Sequence, residues 1–344
     1  MPASAAKQLL DERTTAERLL DHYDRHARAL PWRSPPGSPP PDPYHVWLSE
    51  VMLQQTTVAT VKPRFRRFIE RWPTVEALAA APGEEVLSEW AGLGYYARAR
   101  NLIACARAVV ALGGFPRTEA ELRKLPGLGA YSAAAVAAIA FGERAVVIDT
   151  NVARVVARHH GIEQTLDEAR DEIREIAASM TSANRPGDFA QAMMDLGATI
   201  CRRRKPDCPA CPLSADCRAW TSGSPEAFPA PKARRDRPHR HGLAWWIERD
   251  GALWLVRRPA KGMLGGMVAL PGPEWSEERP SAPTTATVSH GFTHFTLDLH
   301  VTICADPVGD GWWQRLDRLA EAGLPTLYRK AVDAMLARKE ALAA

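Results

Sequence analysis

The sequence predicts a multidomain protein in which an all-α region, ending in a four-cysteine loop, is followed by a small α+β domain. Three observations carry this. At 344 residues the chain exceeds what one core usually organises. Apolar residues recur at helical spacing from about residue 14 to residue 200, and beyond residue 241 the period drops to two. Between these regimes lie four of the six cysteines and then a stretch rich in Pro, Ser and Arg that has no period. The expected division is therefore 1–220 helical, 221–240 linker and 241–344 α+β.

The helical elements follow in order. Val46–Leu53 is a strongly apolar helix, interrupted only by Ser49 and Glu50. Leu102, Ala106, Val109 and Val110 recur at helical spacing until Gly113-Gly114 stops the run. Thr118–Lys124 is a short helix, Leu125-Pro126-Gly127-Leu128-Gly129 a tight turn, and Ala130–Phe141 an Ala-rich helix ended by Gly142. Val152–His159 follows, with basic residues in its last turn and Gly161 just beyond. The Pro-rich segment Ser34–Pro41 reads as a surface loop. In the second region, Leu243–Ile247 and Leu253–Val256 flank Arg249-Asp250-Gly251, a hairpin signal. Phe295, Leu297, Leu299 and Val301 alternate with polar residues as a half-buried strand, and Thr326–Leu342 reads as an amphipathic helix.

Composition narrows the function classes. No apolar run is long enough to span a bilayer, and Met1–Arg13 lacks a secretory core, so a cytoplasmic protein without a membrane partner is expected. A net charge of +4 permits a polyanionic partner without demanding one. Basic residues crowd Arg202–Lys205 and again Lys232, Arg234, Arg235, Arg237 and Arg240; either run alone reads as a solvated surface. Cys105 and Cys304 stand alone in apolar surroundings and are expected to be inert core thiols.

Cys201, Cys208, Cys211 and Cys217 form C-x6-C-x2-C-x5-C. In a reducing compartment, a cluster of this kind reads as metal ligation rather than disulfides. A four-thiolate site accepts zinc or a 4Fe–4S cluster, and the absence of paired C-x2-C knuckles favours the cluster.

Two carboxylates stand out. Glu50 sits in an apolar helix, where burial would favour its protonated form. Asp149 follows the apolar run Ala145–Ile148 at the start of a helix, a favoured capping position where the helix end supports an ionised carboxylate. Each has a purely structural explanation. Cleavage of a base–sugar bond, however, requires one carboxyl to protonate the leaving base and one anion beside the developing oxocarbenium ion. The Leu125–Gly129 turn adds a means of gripping phosphate: its glycines permit close backbone approach, and the following helix offers free N–H groups. A phosphate grip of this kind does not read sequence. The four-cysteine loop about seventy residues further on strengthens the signal.

With these motifs assembled, the chain resembles the adenine DNA glycosylase family of the helix–hairpin–helix superfamily, which also contains endonuclease III. The resemblance runs from about Leu30 to the final helix. It is most specific in Leu30-Pro31-Trp32-Arg33, Trp47–Thr56, Gly92–Arg98 and Gln191–Gly197. It implies a six-helix barrel module plus a 4Fe–4S cluster module, with the cluster held by Cys201, Cys208, Cys211 and Cys217, followed by a Nudix-like domain that recognises 8-oxoguanine. It implies excision of adenine opposite 8-oxoguanine or guanine in double-stranded DNA; a monomer is the default expectation. Carried over, Glu50 protonates adenine at N7, Asp149 stabilises the sugar cation, and Asn151 and Tyr131 assist around the sugar. Gln55 and Tyr95 wedge into the duplex, while Arg28, Leu30, Trp32 and Gln191 line the adenine pocket. Gly127 and Gly129 hold the phosphate.

Three points of detail sharpen the expectation. Lyase members of the superfamily carry a nucleophilic Lys two residues after the hairpin's last glycine; here that residue is Tyr131, so a monofunctional hydrolase is expected. The family's Phe-Ser-His recognition loop reads Phe292-Thr293-His294, with the hydroxyl retained. Glu274, Glu277 and Glu278 lack the framework of a Nudix metal-binding helix, so pyrophosphatase activity is not expected. An endonuclease III-like lyase acting on damaged pyrimidines, or a non-catalytic iron–sulfur DNA-binding protein, are the competing classes.

Overall fold

The computed structural model describes residues 14–232, 237–259, 262–292 and 294–343. The chain divides into two compact units, Met1–Glu89 with Arg98–Ala233, and Trp90–Ala97 with Arg234–Ala344. Among the described residues, no helix is long and apolar enough to cross a membrane.

The helices of the first region are α1 (Thr15–His26), α2 (Pro43–Leu53), α3 (Val58–Arg71), α4 (Val75–Ala80), α5 (Gly83–Glu89), α6 (Tyr96–Ala111), α7 (Glu119–Leu122), α8 (Ala130–Phe141), α9 (Thr150–His160), α10 (Arg170–Met180), α11 (Pro186–Thr199) and α12 (Arg218–Thr221). Local chemistry sets their starts. Thr14 and Glu17 form a reciprocal capping box at α1. Asp42 caps α2 through the Tyr44 amide, and Pro43 occupies the first helical position, where no N–H is needed.

Two of these helices are apolar nearly all round and consequently lie inside. Val46 through Met52 of α2 are all buried, as are Ser132 through Ala140 of α8. The Ala side chains of α8 keep its profile narrow. Gly187 completes the approach of α11: a Cβ there would stand 2.6 Å from the Ala138 carbonyl oxygen. Close helix packing thus brings α2, α8 and α11 together and carries the polar side chains of these helices inward. The segment from Ser34 to Pro41 is loop, as expected.

The second region contains β1 (His239–Trp246), β2 (Glu248–Arg249), β3 (Ala252–Arg257), β4 (Val268–Ala269), β5 (Ala286–Gly291), β6 (Thr296–Ile303), β7 (Gly311–Arg315) and α13 (Thr326–Ala343). One sheet has the order β1-β6-β5, with β1 parallel and β5 antiparallel to β6. In the other, β3 pairs β2 at its start, β4 at its end and β7 along its length. Leu297, Leu299 and Val301 are fully buried and pack with Ala244, Leu253, Leu255, Leu327 and Tyr328 in the core of this unit.

Two sequence expectations need correction here. Leu243–Trp246 is not the partner of Leu253–Val256. The turn at Asp250-Gly251, both at positive φ, joins Glu248–Arg249 to Ala252–Leu253 and reaches one rung further, where the Trp254 N–H donates to the Ile247 carbonyl at 2.9 Å, whereas Leu243–Trp246 pair with His300–Ile303. A turn signal fixes the nearest ladder rungs, but the register of a long strand is chosen by whichever partner buries its apolar face. Cys304 is no core thiol: it is half-buried at the end of β6, with its sulfur against the Asp306 carbonyl, while Cys105 is buried as expected.

Candidate active site and cysteine cluster

Glu50 is 6 % exposed and accepts a hydrogen bond from the Tyr131 hydroxyl at 2.7 Å. Burial pushes its carboxyl up from the usual carboxylate value, and the nearby charge of Asp149 pushes the same way; the Tyr131 hydroxyl and the Arg33 guanidinium oppose this without reversing it. The protonated form of Glu50 is thereby favoured. Burial likewise keeps Tyr131 a neutral phenol, with the neighbouring carboxylates Glu50 and Asp149 acting in the same direction. The Met194 sulfur lies 3.8 Å from the same hydroxyl.

Asp149 caps α9. One oxygen accepts the Val152 amide at 2.7 Å, and the other accepts the Asn151 side-chain amide at 2.8 Å. Asn151 is itself oriented, because its oxygen accepts from Arg154 Nη2 at 2.9 Å. Arg154 also reaches the Gly197 carbonyl at 2.7 Å and the Cys201 carbonyl at 2.9 Å. Gly197 is small by necessity, since a Cβ there would meet that of Asn151 at 2.7 Å. The structure therefore surrounds Asp149 with donors, an arrangement suited to an anion, and places a buried acid in electrostatic reach of it.

The remaining expected site residues fall into distinct settings. Leu30 and Trp32 are buried, Trp32 edge-on to Phe65 at 5.3 Å between ring centroids. Gln191 is buried with its amide on the Gly187 carbonyl at 3.3 Å. Arg28 is committed to Asp195: Nε reaches Oδ1 at 2.6 Å and its backbone N–H reaches Oδ2 at 3.1 Å. Gln55 and Tyr95 are both exposed and both sit at positive φ, 57° and 48°. A non-glycine side chain in that region is uncommon, and here each is thrust outward from a turn. In the second unit, Phe292 packs between His290, Trp275 and Phe295, His294 is exposed, and Thr293 lies outside the described residues, as do Arg234 and Arg235 of the basic run. Glu274, Glu277 and Glu278 lie in non-helical chain.

The turn before α8 has the expected construction. Leu125 and Leu128 are buried anchors, and Gly127 has φ 77° with a would-be Cβ 2.6 Å from that of Asn101, so glycine is required twice over. Gly129 is the N-cap of α8 and provides no side-chain cap, leaving the first-turn amides for another acceptor.

Some contributors were not picked out from the sequence. Asp195 also receives Arg33, whose Nη1 lies 2.9 and 2.8 Å from its two oxygens. Burial raises the Asp195 carboxyl, but Arg33 and Arg28 more than offset it and hold it below the usual range. Arg98 closes the C-terminal end of the Glu50 helix by donating to the Val51 and Met52 carbonyls at 3.0 and 3.2 Å. Gln54 donates to Ser132 at 3.1 Å, tying α2 to α8. Asp195 and Arg98 both lie within the motifs that carried the resemblance, which was the available signal; their partners were not legible.

The four cysteines line one small cavity together with Arg158, Ile200 and Trp220. Burial raises the Cys211 thiol to about 12 and also raises Cys208 and Cys217, and in all three the other cysteines add to it. Mutual repulsion of that kind is relieved by a bound cationic centre. Arg158 knits the loop together through the Arg202 and Arg203 carbonyls at 2.6 and 3.0 Å, and Nη1 lies 3.5 Å from the Cys201 sulfur.

Comparison with known proteins places this geometry. The family model described as HhH-GPD superfamily base excision DNA repair protein matches residues 48–181, and a NUDIX domain model matches residues 243–334. An adenine DNA glycosylase of Mycolicibacterium smegmatis is 43% identical over 222 residues, 63% of this chain and 73% of that relative. The chain belongs to the adenine DNA glycosylase family. The Arabidopsis thaliana member is 38% identical over 77% of this chain, but the chain spans only about half, 48%, of that relative's length. Among solved structures, a thermostable thymine-DNA glycosylase matches with a TM-score of 0.53 and 30% identity, covering 60% of this chain and 95% of that one. The fold expected from sequence, a helical glycosylase region followed by a Nudix-like α+β domain, is thus the one found.

Proposed function

We propose that this chain is a monofunctional glycosylase that hydrolyses the N-glycosidic bond of adenine opposite 8-oxoguanine or guanine in duplex DNA. The observation that carries the reading is the pair formed by a buried Glu50, hydrogen-bonded by Tyr131, and an Asp149 surrounded by donors. Glu50 delivers its proton to adenine N7 while the electrons of the C1′–N9 bond pass to the base. Asp149 stands beside the resulting oxocarbenium ion, Asn151 keeps its carboxylate aimed, and water adds at C1′ with loss of a proton. Tyr131 offers a phenol where a lyase would need an amine, which supports hydrolysis over Schiff-base chemistry.

The DNA-facing roles complete the proposal. Gly127, Gly129 and the first turn of α8 receive a phosphate. Gln55 and Tyr95, exposed on their strained turns, fill the stack vacated by the flipped nucleotide. Leu30, Trp32 and Gln191 line the adenine pocket, and Arg28 acts there through its hold on Asp195. Phe292, Thr293 and His294 recognise the oxidised base. We read residues 221–240 as the linker between the catalytic and recognition domains. Cys201, Cys208, Cys211 and Cys217 would hold a 4Fe–4S cluster, which supplies a rigid clip for the loop. Zinc is the weaker fit: its thiolates would sit about 3.8 Å apart at bond lengths near 2.3 Å. Among the described residues, the group of candidate ligand atoms found within 4.8 Å of one another is a different one, in the second unit.

The test is single-turnover release of adenine from a duplex with adenine opposite 8-oxoguanine, using protein with its cluster intact. Release without a borohydride-trapped adduct is expected. No release overturns the activity, and a strong trapped adduct overturns the hydrolytic assignment.

A further inference from the structure

The polar face of the β1-β6-β5 sheet carries a cluster that the glycosylase reading does not use. Alternation along β1 and β6 puts His239, His241, Thr296, Asp298 and His300 on one face, opposite the buried Leu297, Leu299 and Val301. The neighbouring β5 adds Ser289 across from Asp298 and Thr287 across from His300. One ligand atom from each of His239, His241 and Asp298 falls in a group within 4.8 Å, and His239 Nε2 lies 3.1 Å from Asp298 Oδ2. For comparison, neighbouring donors around a tetrahedral ion with bonds of about 2.0–2.2 Å stand roughly 3.3–3.6 Å apart.

Each of the three groups is also oriented from behind. His239 Nδ1 is 2.9 Å from Thr296 Oγ1, which leaves Nε2 with its lone pair outward when Nδ1 carries the proton. His241 Nδ1 is 3.1 Å from Nε2 of the buried His300, whose own Nδ1 is 3.2 Å from Thr287 Oγ1. A proton on His300 Nδ1, given to Thr287, makes its Nε2 an acceptor, so His241 donates through Nδ1 and again frees Nε2. Asp298 Oδ1 accepts the Ser289 hydroxyl at 2.5 Å, and Oδ2 faces His239 Nε2 at 3.1 Å, a contact that a shared ion would replace. Hydrogen bonds that fix the tautomer and orientation of a ligand from its far side are the usual support of a metal site, and an isolated polar sheet face does not need them. The ring nitrogens and single carboxylate are donors suited to zinc and its first-row neighbours rather than to magnesium or calcium.

We infer that His239, His241 and Asp298 form a divalent transition-metal site, of the zinc type with an open coordination position, that ties the entry strand β1 to β6. The strands are parallel and joined only through a connection of nearly fifty residues, so a metal crosslink there would hold the domain's first strand in register. This inference is independent of the excision chemistry.

The test is calorimetric titration of the full-length protein, its 4Fe–4S cluster loaded and followed by visible absorbance, with Zn2+ and, as controls, Mg2+ and Ca2+. One equivalent of Zn2+ is expected to bind with the cluster spectrum unchanged, and the controls are expected not to bind. His239→Asn and Asp298→Asn should abolish this binding, while Ser289→Ala should weaken it by about tenfold. Zn2+ binding that both first variants leave unchanged, or no Zn2+ binding by the wild type, overturns the site. Should a variant misfold, Co2+ added to the wild type must still broaden the imidazole resonances of His239 and His241; sharp resonances overturn it equally.

Discussion

The two units treat polarity in opposite ways. The helical unit draws polar and ionisable groups inside: Glu50, Gln191, Asp195, Arg154 and Arg158 are all buried, each with a hydrogen-bond partner. The sheet unit keeps an apolar interior and displays its polar side chains on strand faces, with His300 the buried exception among the described residues. Burial without a paired cation raises the Glu50 carboxyl and suits it to act as an acid, whereas the Ser289 hydroxyl holds Asp298, on the open sheet face, below the ordinary carboxylate range. The proposed function assigns chemistry to the first arrangement and recognition to the second.

The sharpest way to break that contrast is to neutralise the buried acid. Glu50→Gln should lower single-turnover excision by about 10²–10⁴-fold while leaving duplex affinity nearly intact; retained turnover would remove Glu50 from the acid role. Next comes the ion cluster. Asp195→Ala leaves Arg33 and Arg28 without their carboxylate and should cost about 3–5 kcal/mol in denaturant unfolding, against a small effect for an exposed pair such as Arg315–Asp317. On the recognition side, Phe292→Ala should leave excision opposite guanine close to wild type and lower the preference for 8-oxoguanine by about tenfold, measured as a ratio of single-turnover rates.

The smallest effect concerns stability and pH. Burial raises the Glu50 carboxyl above its ordinary value of 4.5 in the fold, so the native state binds more protons than the unfolded chain as the pH passes that value. Its contribution is therefore complete at low pH and is lost as the pH rises. Glu50→Gln escapes this loss and should gain on the wild type as the pH rises above 4.5, read as a widening gap in denaturant midpoint. A gap that shrinks with rising pH would contradict a raised Glu50 carboxyl.

Much of the helical unit was legible because its signals are local. Asp149 as the cap of α9, Gly142 and Gly161 as left-handed stops and the positive φ of Gly127 depend on neighbours a few residues away. The sheet unit was read less well for the complementary reason. Leu243–Ile247 had the right period, but its partner lies nearly sixty residues on in β6, and a nearby turn suggested the wrong one. In the candidate site, residue types pointed to Glu50 and Asp149, yet nothing local distinguished Arg28 lining a pocket from Arg28 gripping Asp195.

By itself the sequence determined the helices around Glu50, before and after the Leu125–Gly129 turn and after Asp149 to within a few residues, that four cysteines crowd one short stretch and that no lysine stands at position 131, since these follow from composition and short-range backbone chemistry. The tertiary structure alone decided that Tyr131 reaches Glu50, that two arginines converge on Asp195, and that three histidines and an aspartate share one sheet face. Those contacts join residues far apart in the chain. Their charge states depend on burial and on partners that only packing brings within range.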